Sequence, residues 1–182
     1  LGILAILITV YEVLSMKSMQ DGTNELQQVG IEALAALDQV SISTQKMGKM
    51  AYVYIQLDSE GKEAAWEQIE SANTQIAKQL DIARAILTND GAREGLNAIE
   101  AATDNLYNTI RQIKESADSG DTQGVLNIMR NDMNSASTEA EAVINEVIGY
   151  NNADIDQVSA YQNMVYVWAS VVSTVFLILL IV

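Results

Sequence analysis

Not one proline interrupts the 182 residues of this chain, although average usage of about 5% would place roughly nine. A proline inside a helix costs ~3 kcal/mol, so its absence suits long unbroken helices. The apolar residues agree, recurring at a 4-3 spacing in four consecutive stretches. The first carries Leu26, Gly30, Ala33, Leu37, Val40, Thr44, Met47, Ala51 and Tyr54. The second carries Ala65, Ile69, Ala72, Ile76, Leu80, Ala83 and Leu87, and the third Ala92, Leu96, Ile99, Thr103, Leu106, Ile110, Ile113 and Ala117. Met129, Met133, Ala136, Ala140, Val143 and Val147 continue the pattern in the fourth. Four such stretches joined by short turns predict an all-α fold, an antiparallel up-down four-helix bundle.

Three clusters of turn residues separate the helices: Asp58-Ser59-Glu60-Gly61, Thr88-Asn89-Asp90-Gly91 and Asp118-Ser119-Gly120-Asp121. Each offers a Gly to end one helix and an Asp, Ser or Thr to cap the next. The expected helices are 17–57, 62–88, 92–117 and 122–163. The outer two are each about forty residues, or ~60 Å, and the inner two about 27 residues, or ~40 Å.

Uncharged apolar stretches stand at both ends. Met164 to Val182 holds no charged residue and comes close to the ~20 apolar residues that a helix needs to cross a bilayer. Leu1 to Val10 is as apolar but starts in mid-run, as expected of a chain cut inside a span. The expected organisation is a truncated first transmembrane helix at 1–16, an extracytoplasmic bundle at 17–163 and a second transmembrane helix at 164–182. Helices one and four then continue into the two spans. Tyr11, Tyr161, Tyr166 and Trp168 would form an aromatic belt at one interface, and the protein would lie in the bacterial inner (plasma) membrane.

Composition narrows the chemistry. The net charge of −14 speaks against nucleic acid as a partner, because phosphate binding needs a basic footprint. With no Cys and no His, thiol chemistry, the commonest metal ligand and the usual general base are missing. No Gly-rich phosphate loop or nucleophile motif is present either. The expectation is a binding protein rather than an enzyme, with no cofactor and no metal.

Depth in the bundle, counted down from the distal turns, groups the candidate binding residues. Lys46, Lys49, Tyr52, Trp66, Arg111 and Arg130 share the distal third, where Lys62 also lies, in an otherwise acidic domain. Guanidinium and ammonium groups at one level suit a small carboxylate. Trp66 and Tyr54, beside a turn, also suit a cap on the end of the bundle. Thr44 and Thr103, at apolar positions, are expected to bond the carbonyl four residues back.

The span–bundle–span layout, the helix lengths and the run Ser119-Gly120-Asp121-Thr122-Gln123-Gly124-Val125-Leu126 resemble the extracytoplasmic sensor domain of methyl-accepting chemotaxis proteins. The polar stretch Asn151-Asn152-Ala153-Asp154 before the second span is similar too. The resemblance covers essentially the whole chain. It implies a transmembrane chemoreceptor module, a homodimer, that binds a small extracellular ligand. Signalling would follow from a small displacement of helix four and the second span. It also implies cationic side chains on helix one for carboxylate ligands, where this chain offers Lys46 and Lys49. Similar bundles serve membrane histidine kinases and cyclase-type regulators. A passive dimerising bundle, or one that reads a partner protein, is the alternative of a different class.

Overall fold

The computed structural model describes residues 10, 11, 14, 16–19, 21, 22 and 30–181, without the side chains of 154, 158, 162 and 173–181. The chain divides into two compact units, Glu32–Tyr150 and a second made of Leu1–Ile31 with Asn151–Val182. Among the described residues every regular element is helical. In order these are α1 (Glu32–Tyr54), α2 (Ser59–Ile86), α3 (Asp90–Asp118), α4 (Thr122–Ile128), a π turn (Met129–Met133) and α5 (Asn134–Ile181). Together α4, the π turn and α5 make the fourth helical path expected from the sequence.

One apolar core fills the 32–150 unit. Leu37 and Met47 from α1, Ile69 and Leu80 from α2, and Leu96, Ile99, Leu106, Ile110 and Ile113 from α3 are almost wholly buried. Met133 and Ile144 close it from the fourth path. Burying each such side chain contributes about 1.5–3 kcal/mol. Within the 32–150 unit the 4-3 spacing is met in all four paths, with one shift on the fourth and with Ala92 and Ala117 only partly buried, while Leu26 lies outside the described residues. Ile144 is buried at 1% exposure, while Val143 is only partly so. The core positions on this path run Met133, Ala136, Ala140, Ile144, Val147, a doubled step of four that a helix of 3.6 residues per turn accommodates.

The threonines inside the core are satisfied locally. Thr44 donates to the Val40 carbonyl at 2.8 Å, and Thr103 donates to that of Ile99 at 2.9 Å. Both are the bonds expected for core threonines.

The turns show why the helices begin earlier than expected. Asp58 accepts from the Gly61 N–H at 3.0 Å, and Asn89 from the Ala92 N–H at 2.7 Å. Each residue is therefore the N-cap. Gly61 and Gly91 consequently lie inside the first turns of α2 and α3 and end nothing. Among the described residues only Gly120, at φ +79°, has the left-handed backbone of a helix-ending glycine. Asp121 then caps α4, accepting from the Gly124 N–H at 2.9 Å.

In the second unit, Gly30 and Ile31 adopt the wider π geometry. The side-chain amide of buried Asn151 donates to the Gly30 carbonyl at 3.2 Å. A Cβ on Gly30 would stand 2.6 Å from Ile155, so the absence of a side chain permits this approach. Tyr161, Tyr166 and Trp168 are more than half exposed. Among the described residues no helix is long and apolar enough to cross a membrane. The spans expected at 1–16 and 164–182 fall largely outside the described residues and side chains.

Candidate functional site

The densest set of interacting polar and aromatic side chains stands where α1 ends, α2 begins and α3 ends. The cap at Asp58 fixes the start of α2, placing Lys62 on its first turn and Trp66 one turn further. On α3, Tyr107, Lys114 and Asp118 follow at intervals of seven and four, which puts them on one face. Tyr54, at the last position of α1, closes the group.

Asp118 is its focus. Tyr54 donates its hydroxyl to Asp118 Oδ1 at 2.6 Å, and Lys114 donates to Oδ2 from one turn earlier. The Lys62 ammonium stands over the Tyr54 ring, 5.4 Å from its centre. That of Lys114 stands 5.5 Å over Trp66. Trp66 meets Tyr54 edge-on at 6.3 Å and stacks with Tyr107 at 6.2 Å. Tyr107 in turn donates to Glu70 Oε1 at 2.6 Å. Three helices are thus joined through rings whose faces attract cations and whose hydroxyls bind carboxylates.

The electrostatics follow from these contacts. The Lys114 and Tyr54 hydrogen bonds hold the Asp118 carboxyl below its ordinary value, with the Lys62 charge adding to them. Burial and the bond to Asp118 push the Tyr54 phenol up. Burial and the bond to Glu70 push Tyr107 up to about 12, against the opposing charge of Arg111. A folded-state tyrosine with a raised pKa keeps its proton where the unfolded chain has lost it. Its contribution is complete below the ordinary value of 10 and is lost as pH rises toward about 12. Asp118 behaves oppositely, its contribution being present above 3.8 and lost as pH falls through its lowered value. Thermal unfolding followed between about pH 9 and pH 11.5 should therefore show a falling Tm. Tyr107→Phe should fall less steeply. An equal slope in both would place the alkaline loss elsewhere.

The six sequence candidates take different positions. Trp66 lies within the aromatic group, and Arg111 borders it through Tyr107. Arg111 also pairs with Glu115 at 3.8 Å, an exposed helical pair worth about 0.3–0.5 kcal/mol. Tyr52 faces the other way, its hydroxyl donating to Asn134 at the start of α5 at 3.0 Å. Arg130 is exposed in the π turn, one turn before Asn134. Lys46 and Lys49 are exposed on α1. The structure therefore joins Trp66 and Arg111 on the α2–α3 side, and sets Tyr52 and Arg130 along α1 and the fourth path. The sequence marks Asp118 only as a turn residue, and nothing in it marks Glu70, Tyr107 or Lys114 as binding residues. The four-residue spacings of Trp66 with Glu70 and of Lys114 with Asp118 were the available signal.

One family model, described as a four helix bundle sensory module for signal transduction, matches residues 1–166. No curated protein matches the chain, and no solved structure does.

Proposed function

Since the chain belongs to the family of four-helix-bundle sensory modules for signal transduction, we propose that it is the sensing domain of a transmembrane chemoreceptor that binds a small extracellular ligand. The observation that carries this reading is the family match across 1–166, over a chain that places one apolar core among four helical paths. In this reading the chain works as a homodimer in the plasma membrane. Spans at 1–16 and 164–182 flank an extracytoplasmic bundle, and ligand occupancy displaces the fourth path and the second span by a small distance. That α5 runs without a break from Asn134 to Ile181 supports transmission along one element rather than across a loop.

Arg130, Lys46, Lys49 and Tyr52 are the first candidates for the ligand, with Trp66 and Arg111 on the other side of the turn end. A small organic acid suits these cations. The test is a thermal-shift screen of organic acids, amino acids and amines on the 182-residue chain. A ligand at 100 times its Kd adds about 2.7 kcal/mol, or roughly 5–10 °C in Tm for a domain of this size. Arg130→Ala should abolish the shift and Glu146→Ala should leave it. A screen without any shift would remove direct sensing, and a shift that survives in the joint Lys46, Lys49 and Arg130 variant would remove these residues as its site.

A further inference from the structure

The turn-end corner presents the parts of a carboxylate receptor, already filled. Its donors are the Tyr54 hydroxyl from α1 and the Lys114 ammonium from α3, and the Lys62 charge of α2 stands beside them over the Tyr54 ring. Trp66 and Tyr107 form an aromatic wall beside them. What they hold is a carboxylate on the last residue of α3, just before the glycine that turns the chain toward α4. The Asp118 side chain is 42% exposed, so it can leave the donors without opening the core. We propose that this corner is a binding site for small organic carboxylates, occupied at rest by the chain's own Asp118.

The physical argument is one of competition. Asp118 is tethered one helical turn from Lys114, so its local concentration at the donors reaches the millimolar range or above. A free acid must match that concentration to enter, which makes the site weak while Asp118 is in place. A ligand with a second polar group, or one whose body packs on Trp66, gains the contacts needed to displace it. Displacement frees the end of α3 beside Ser119 and Gly120, where the chain passes into the fourth path. The corner does not involve Lys46, Lys49 or Arg130. A failure here therefore leaves the ligand reading above intact, and a shift there that Arg130→Ala abolishes leaves this one.

Chemical rescue tests the assignment with acetate as the probe. Asp118→Ala in the 182-residue chain empties the donors and should lower Tm. Sodium acetate at about 0.5 M should then raise the Tm of the variant by about 3 °C more than sodium chloride of equal ionic strength does. The wild-type chain, its site filled, should show a smaller difference between the two salts. Adding Lys114→Met to the variant should abolish the excess. Should Asp118→Ala not fold in chloride, folding in acetate is itself the expected rescue. Asp118→Gly, which vacates the same space, supplies a second comparison of this kind. An acetate-over-chloride shift no larger in these variants than in wild type would overturn the proposal.

Discussion

Replacing Leu106 with alanine is expected to lower the melting temperature by about 10 °C. Leu106 is fully buried, near the middle of α3, in the core shared by all four helical paths. Removing its branched end forfeits the transfer energy of three carbons and leaves a cavity that rigid neighbours fill only in part. Such truncations cost 2–5 kcal/mol, and about 3 kcal/mol is the fair expectation here. For a bundle of this size each kcal/mol is worth roughly 3–4 °C. Its exposed near neighbour Asp104 provides the contrast, because Asp104→Ala should stay within about 0.5 kcal/mol of wild type. Calorimetry or helix circular dichroism on both variants measures the difference. Equal Tm values would mean that the helices are not held by this core.

Trp66→Ala should cost nearly as much although Trp66 is only partly buried. Its ring touches Tyr54 and Tyr107 and lies under the Lys114 ammonium. Aromatic pairs contribute about 0.5–1.5 kcal/mol each beyond the area that they bury. The cation contact adds about 0.5–1 kcal/mol at a site this exposed. With the lost apolar area, the sum is about 3 kcal/mol. Because the ring ties together α1, α2 and α3, hydrogen exchange should rise at the end of α1 and the start of α2 before the rest of the bundle opens. Trp66→Phe should recover much of the loss, since it retains a ring against both tyrosines. A Phe variant as unstable as the Ala variant would rule out ring contact as the source.

The core was readable in advance because helical burial is periodic. Ala33, Leu37, Val40, Met47 and Ala51 are all fully buried, as their 4-3 spacing requires. Val143 and Ile144 show where that reading loses resolution: two adjacent apolar residues lie 100° apart, and the accumulated phase of the helix decides between them. The glycines of the first two turns misled for a local reason. Asp58 and Asn89 outrank Gly61 and Gly91 because a side-chain acceptor for the unpaired N–H groups decides where a helix starts. The corner around Asp118 was hidden for another reason. Its members come from three helices, and only knowledge of how the helix ends are aligned brings Tyr54 to Asp118. Spacing within one helix could show Lys114 with Asp118, but not the ring from α1 that completes the pair.

The π turn at Met129–Met133 means that the fourth path carries one more residue than its course needs. A π turn takes in an extra residue by widening the coil locally, so the helix beyond it keeps the phase that it would have had without the insertion. Ala136, Ala140, Ile144 and Val147 face the core because the surplus is absorbed before them rather than passed on as a 100° rotation. The stretch around Arg130 is accordingly the place in this helix where chain length and chain direction are decoupled. A residue can be lost there, the π turn reverting to α geometry, without changing what the rest of the helix presents to its neighbours.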